Sequence, residues 1–110
     1  ALLDRFDLVV VVPRPRAGEL AAGPGEPSEP VRQRVAAARE LLATAPPRRA
    51  ATADELLTRA VERLHLSGRG RARVARVARS IAALAGAAEI LPEHVAEALS
   101  YRAPRELEAL

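Results

Sequence analysis

The stretch from Leu66 to Gly86, LSGRGRARVARVARSIAALAG, constrains the fold more than any other part of the chain. At 100° per residue it predicts an amphipathic helix that Ser67 caps and Gly86 ends. The apolar stripe consists of Val74, Val77, Ile81 and Leu84, and an adjacent stripe consists of Arg69, Arg73 and Arg76. Five arginines and no acidic residue occur in this stretch. Like charges at such spacing repel one another, so this face either stays in water or contacts an anion.

The composition favours helices and excludes several classes of protein. Hydrophobic residues make up 49% of the 110 residues, but Phe6 and Tyr101 are the only aromatics, so alanine, leucine and valine must fill the core. All 17 basic residues are arginine, yet the net charge is only +3, which does not require a nucleic-acid partner. The absence of cysteine excludes disulfides and thiolate zinc sites. The longest apolar run is too short to cross a membrane and no signal peptide is visible, so we expect no membrane partner and a cytoplasmic location.

Three further helices are predicted around the arginine-rich one. The first begins near Ser28 and ends near Thr44, with an apolar stripe made by Val31, Val35, Ala38 and Leu42. Thr52 and Glu55 predict a capping box for the second, which ends around His65. Pro92 predicts the start of the last, with Val95, Ala98 and Leu99 facing inward. The fold class is therefore all-α, a small antiparallel bundle of about four helices.

The segment from Leu8 to Val12 does not suit such a bundle. Its continuous apolar, mostly β-branched sequence is typical of a strand buried in a parallel sheet. Nothing else in the chain predicts a strand, so this one lacks partners and indicates that the chain is a piece of something larger. The predicted division is residues 1–16 as the end of a separate core, 17–27 as a flexible Gly/Pro-rich linker, 28–102 as the helical domain and 103–110 as a frayed tail.

Catalytic motifs are not recognisable in the sequence. A phosphate-binding loop of the Walker type needs a lysine, and the chain has none. His65 and His94 lack nearby ligands at metal-binding spacing, so they are interpreted as surface histidines and no metal site is predicted. The chain by itself is not expected to be an enzyme.

Two arginines are candidates for contacts with an anion. Arg5 lies in the segment LLDRFD immediately before the predicted strand, where its guanidinium would lie at the rim of a sheet and could reach a phosphate on a neighbouring subunit. The alternative is an ordinary ion pair with Asp4 or Asp7. Arg69 lies in the first turn of the arginine-rich helix, where backbone N–H groups favour an anion, and the alternative is a solvated basic face. Arg73 and Arg76 would supply accessory anion contacts.

Three ordered motifs carry a resemblance to a known family. LLDRFDLVVVVP, LSGRGRARVARVARSIAALAG and ILPEHVAEALSYR together resemble the C-terminal, lid part of magnesium-chelatase-like AAA+ ATPases, in the ComM/YifB-like branch. The resemblance implies an ATPase that assembles as a ring and binds ATP and magnesium between subunits, none of it tightly held by this part alone. It implies that Arg5 is an arginine finger acting in trans and Arg69 is the sensor-2 arginine. The partners implied are the rest of the AAA+ core, neighbouring subunits and DNA.

Two other hypotheses remain open from the residues alone. The chain could be an independent nucleic-acid-binding module, although it has few aromatics for stacking and no groove-reading motif. It could also be a helical module that docks other proteins. The arginines that a nucleic-acid module would use are Arg69, Arg71, Arg73, Arg76 and Arg79.

Overall fold

A computed structural model describes residues 5–103 as a small helical bundle with one short sheet. The elements in chain order are α1 (Ala17–Ala21), α2 (Ser28–Thr44), β1 (Arg48–Arg49), α3 (Ala51–Leu64), α4 (Gly68–Leu84), β2 (Glu89–Ile90) and α5 (Pro92–Ser100). The predicted bundle of about four longer helices is confirmed. The predicted division into a core end, a linker, a lid domain and a tail stays a prediction, and most of the tail lies outside the described residues.

The core lies between α3, α4 and α5, and α4 packs against α2, α5 and β2. Its buried residues are mostly small, as the composition requires. They are Ala53, Leu57, Val74, Val77, Ala78, Ala82, Ile90, Val95 and Ala98. Small side chains let helices approach closely, so this core depends on close packing more than on large apolar volume. The predicted inward positions on α4 hold for Val74 and Val77, but Leu84, at the last turn, is 49% exposed.

The sheet was not predicted. β1 pairs with β2 in parallel, with Arg48 opposite Glu89 and Arg49 opposite Ile90. The amide N of Ala50 then donates to the carbonyl O of Ile90 at 3.0 Å. This bond holds Ala50 extended, so Ala50 becomes the N-cap and α3 begins at Ala51. The predicted capping box of Thr52 and Glu55 is therefore wrong, because Thr52 already lies inside the helix.

The N-terminal part differs from its prediction in two ways. Residues 8–12 form no strand within the described part of the chain, and Leu8, Val10, Val11 and Val12 are all exposed. The physical reason is that no neighbouring strand lies beside them, and a single strand has no backbone partners. The second difference is α1, a one-turn helix within the predicted linker, where the amide N of Arg16 donates to Oε2 of Glu19 at 2.9 Å.

Three predicted helix boundaries are confirmed by the backbone. Ser67 is the N-cap of α4, and Pro92 occupies the first turn of α5. Gly86 follows the end of α4 with φ of +68°, in the left-handed conformation that favours glycine after a helix. No helix in the range 5–103 is both long enough and apolar enough to cross a membrane.

Candidate functional site

The N-terminus of α4 forms the centre of the candidate site. The chain leaves α3 through His65, which adopts the left-handed conformation, and turns into the extended Ser67. The Oγ atom of Ser67 accepts a hydrogen bond from the amide N of Gly70 at 3.0 Å. The first turn carries no acidic residue, and Arg69 lies on it with an exposed side chain. This helix end therefore presents both the helix dipole and a guanidinium group to solvent.

A cleft of about 330 Å³ opens beside this helix end. One wall comes from the turn between α3 and α4, and another from the end of α5. The N-terminal segment forms a third wall through the two residues that follow Arg5. The lining residues are Phe6, Asp7, Leu64, His65, Leu66, Ser67, Gly70, Arg73, Val74, Ala98, Tyr101, Arg102 and Ala103. The segment that follows Arg5 and the start of α4 thus meet at one cleft, but neither Arg5 nor Arg69 is among the residues that line it.

The arginine stripe of α4 contacts a carboxylate of this chain. Arg76 Nη2 lies 3.2 Å from Oδ1 of Asp7, and Arg73 Nε lies 3.5 Å from the same oxygen. Arg71 does not lie on this stripe, as the spacing predicts, and its Nη2 lies 3.6 Å from Oδ1 of Asp54. Contacts from Arg73 and Arg76 to an external anion stay a prediction.

Arg5 is exposed, and the structure does not support its alternative pairing with Asp7. The Asp7 carboxylate points to α4, and no ion pair joins Arg5 to any other described residue. Asp4, the other alternative partner, lies outside the described residues. Arg5 therefore has an exposed guanidinium within two residues of an anchored aspartate.

One of the two histidines has a structural role that the sequence analysis missed. His94 is buried, and its Nδ1 accepts a hydrogen bond from the amide N of Leu91 at 2.9 Å. It therefore caps the start of α5, and the interpretation of His94 as a surface histidine is wrong. His65 is exposed as expected. Within residues 5–103 no group of three or more histidine, aspartate or glutamate side chains could hold a metal ion.

Tyr101 lines the cleft at the end of α5. Its hydroxyl donates a hydrogen bond to Oε2 of Glu97 at 3.2 Å. This hydrogen bond, followed by the negative charge of Glu97, raises the pKa of Tyr101 above its ordinary value. The phenol therefore stays protonated at neutral pH, and it adds no negative charge beside the arginines.

Sequence reasoning missed Asp7 as the partner of Arg73 and Arg76. Asp7 and Arg76 are 69 residues apart, so no helical or strand periodicity relates them. The available signal was an acidic residue next to an apolar run, in a chain whose arginine-rich helix contains no acid of its own. That signal identifies complementary charges but not their contact.

Comparison with known proteins finds a matching family and several similar sequences. The family described as magnesium chelatase, subunit ChlI C-terminal, matches residues 41–102. Uncharacterized proteins of Mycobacterium tuberculosis and Mycobacterium bovis are 41% identical over 120 residues, covering 92% of this chain and 24% of their own length. Competence protein ComM of Haemophilus influenzae is 36% identical over 118 residues, covering 92% of this chain and 23% of its own length. No solved structure matches the chain.

The chain thus spans about a quarter of the length of the curated relatives it matches. The family match covers more than half of the chain, and it includes α3, β1, β2, α4 and α5. The sheet, the Ser67 cap and the arginine stripe of α4 all fall inside it. This chain belongs to the family of magnesium chelatase subunit ChlI C-terminal domains.

Proposed function

We propose that this chain is the lid region of a ComM-like AAA+ ATPase and contributes two arginines to ATP hydrolysis. Arg69 would act as the sensor-2 arginine on a nucleotide bound by the same subunit, and Arg5 would act in trans as an arginine finger. Both arginines would act together with the nucleotide-binding core and with neighbouring subunits of a ring. The intact protein would work in the cytoplasm. The intact motor would act on DNA.

A single observation carries this proposal: the Ser67-capped start of α4 exposes Arg69 beside a cleft that the segment after Arg5 also lines. An acidic residue in the first turn would repel phosphate, and this helix start has none. The Ser67 hydroxyl occupies the amide N–H of Gly70, and the dipole of the helix still favours an anion at this end. Guanidinium groups suit phosphoryl transfer because their charge is permanent and their donors are planar.

The residues present fit the phosphate-contacting part of an ATP site. When bound, ATP with magnesium supplies the transferable phosphoryl group. Arg69 would hold the phosphates against the helix start, and Arg5 would stabilise negative charge that develops on the transferring group in the neighbouring subunit. The described residues offer no metal-binding cluster, so the proposal assigns magnesium to no side chain of this chain.

The test uses a protein that carries this chain together with its nucleotide-binding core. Changing Arg5 to Ala is expected to lower kcat by about a thousandfold or more, the range reported for arginine fingers. Changing Arg69 to Ala is expected to lower both kcat and ATP affinity. Arg14 and Arg79 are matched controls, since both are exposed and lie on the same two segments, and their alanine variants should leave turnover unchanged.

If ATPase activity is unchanged in both Arg5→Ala and Arg69→Ala, the proposal is wrong. The remaining hypothesis is then a helical module that docks other proteins. The 110-residue chain alone is expected to bind ATP weakly or not at all and to hydrolyse none of it. Tight DNA binding by that chain, with a steep salt dependence lost on changing the five arginines of α4, would instead favour the nucleic-acid module.

A further inference from the structure

Asp7 links the N-terminal segment to α4 through two cations at once. The Oδ1 atom of Asp7 lies 3.2 Å from Arg76 Nη2, with hydrogen-bond geometry, and 3.5 Å from Arg73 Nε. The two arginines are three residues apart on one face of the helix, so a single carboxylate can bridge them. The Arg73 side chain is only 18% exposed, so it lies against the protein surface and not in open solvent.

A second contact holds the same segment at the C-terminal end of α5, on its C-cap residue Tyr101. The amide N of Val9 donates to the carbonyl O of Tyr101 at 2.8 Å. Phe6 and Asp7 both line the cleft between these two attachment points. The segment is therefore fixed to the last helix by its backbone and to α4 by its charge.

These contacts join the segment that carries Arg5 to the helix that carries Arg69. Asp7 follows Arg5 by two residues, and Arg73 follows Arg69 by one helical turn on the same stripe. We propose that Asp7 is a positioning residue that couples the arginine finger at Arg5 to the lid helix that carries Arg69. This inference rests on the proposed function, and it adds a residue and a connection that the family assignment does not contain.

The coupling would work by competition between two anions. Arg73 and Arg76 can pair with the Asp7 carboxylate or turn toward a phosphate bound near Arg69. Ion pairs at this degree of exposure are weak, so a bound phosphate can displace the carboxylate without unfolding anything. Loss of the Asp7 contact would release the segment beside Arg5 and change how that arginine is presented to the neighbouring subunit. The state of one nucleotide site would thereby reach the next.

The chain offers a closely matched control. Asp54 also forms ion pairs with two arginines, with Arg49 Nε at 3.6 Å and Arg71 Nη2 at 3.6 Å from its Oδ1, and Arg71 also belongs to α4. The exposed fractions of the two aspartates are nearly equal, 51% for Asp7 and 54% for Asp54. Asp54 is not part of the segment that carries Arg5. Asp7→Asn and Asp54→Asn therefore remove the same charge from beside two arginines at similar exposure, and Asp54 lies in the first turn of α3 instead of the segment after Arg5.

The first experiment measures docking in the 110-residue chain by amide NMR. In Asp7→Asn the amides of residues 5–12 should become more mobile and those of α4 should shift around Arg73 and Arg76. Asp54→Asn should leave residues 5–12 unchanged. An N-terminal segment equally ordered in Asp7→Asn and in the unchanged chain would overturn the inference.

The second experiment measures ATP turnover in the protein that contains the nucleotide-binding core. Asp7→Asn and Arg76→Gln should each lower kcat by about tenfold, and the double variant should be no worse than either, because both changes break one contact. Because the Asp7 carboxylate competes with the phosphate for Arg73 and Arg76, Asp7→Asn should bind nucleotide at least as tightly as the unchanged protein. The midpoint of thermal unfolding should stay unchanged, and Asp7→Glu should restore most of the kcat. A purely structural role would lower the unfolding midpoint together with kcat.

The outcomes separate this inference from the proposed function. If Arg5→Ala abolishes turnover while Asp7→Asn has the kcat of the unchanged protein, the arginine finger stands and the coupling is wrong. Equal losses in Asp7→Asn and Asp54→Asn would also contradict the coupling, because they would reflect general loss of surface charge. If Arg5→Ala has no effect on turnover, the proposed function itself fails and the coupling fails with it.

Discussion

Two regions of this chain have similar apolar patterns but bury them to very different degrees. In the helical core region, residues 47–101, the apolar faces of α3, α4 and α5 pack on one another, and Leu57 and Val95 are almost completely buried. In the N-terminal region, residues 5–45, Ala38 is the only buried residue. Val31 and Val35 of the α2 stripe are exposed, as is most of the run from Leu8 to Val12. The hydrophobic pattern shows which side chains can be buried, but it does not show that their partners belong to the same chain.

The largest expected effect compares one leucine from each region. Leu57→Ala should lower the free energy of unfolding by about 2–5 kcal/mol, because the side chain is 0% exposed and its removal leaves a cavity among small neighbours. Leu8→Ala removes the same atoms from a side chain that is 52% exposed, and it should change the free energy by less than about 0.5 kcal/mol. Urea unfolding followed by circular dichroism measures both.

Equal losses for the two leucine variants would break the comparison between the regions. They would mean that the N-terminal region contributes to the same cooperative unit as the helical core region. A negligible loss for Leu57→Ala would contradict the core itself.

A smaller effect compares two glycines. Gly86→Ala should destabilise the helical core region by about 1 kcal/mol, because Gly86 has φ of +68° and a Cβ atom there disfavours the left-handed backbone. Its Cβ would meet no atom within 4 Å, so the cost comes from the backbone alone. Gly18→Ala, within α1 and equally unobstructed, should raise the helicity of α1 without moving the global unfolding midpoint. Thermal unfolding of each variant tests this, and a destabilised Gly18→Ala would contradict it.

The smallest effect concerns pH and lies in the N-terminal region. Both guanidinium Nη atoms of Arg34 contact the carboxylate of Glu26, with Nη2 and Oε2 at 2.9 Å. Hydrogen bonding from Arg34 lowers the pKa of Glu26 below its ordinary value of 4.5. A carboxyl group whose pKa is lower in the folded chain stabilises the folded form at any pH above its ordinary pKa. This contribution is lost as the pH falls through the pKa of the folded form.

Acidification from neutral pH to about pH 3 should therefore weaken the start of α2 slightly. Helicity measured at both pH values in the unchanged chain and in Glu26→Gln checks this, since the variant should lack this part of the pH dependence. The same pH dependence in both proteins would contradict a role for the pair.

Most helices could be predicted from the sequence because their signals are local. The Ser67 cap, the Gly86 ending and the Pro92 start each depend on a few adjacent residues. The pairing of β1 with β2 could not be predicted, because two residues in each strand carry no periodicity and the contact depends on how α3 and α4 pack. That pairing also moved the start of α3 away from Thr52, so a distant contact overrode a local capping signal.

The candidate site likewise has a part that local sequence predicts and a part that depends on tertiary structure. Arg69 at a helix start and the stripe with Arg73 and Arg76 follow from spacing within one helix, and the structure places all three on α4. The bridging position of Asp7 depends on tertiary structure, and so does the burial of His94 against the backbone of Leu91. The roles of Arg5 and Arg69 in hydrolysis stay predictions, because they concern groups outside this chain.

The bond between Val9 and Tyr101 has a consequence for the order of events during synthesis. Val9 is made long before α4 and α5, yet its backbone partner on Tyr101 and the side-chain partners of Asp7 belong to those last elements. Until they leave the ribosome, the backbone of Val9 has no partner in this chain, and the valines that follow it stay exposed even afterwards. Short exposed runs of β-branched residues readily pair with other chains. The run from Leu8 to Val12 is therefore open to pairing with other chains during synthesis, and the bond to Tyr101 removes one of its free backbone donors only once that residue has been made.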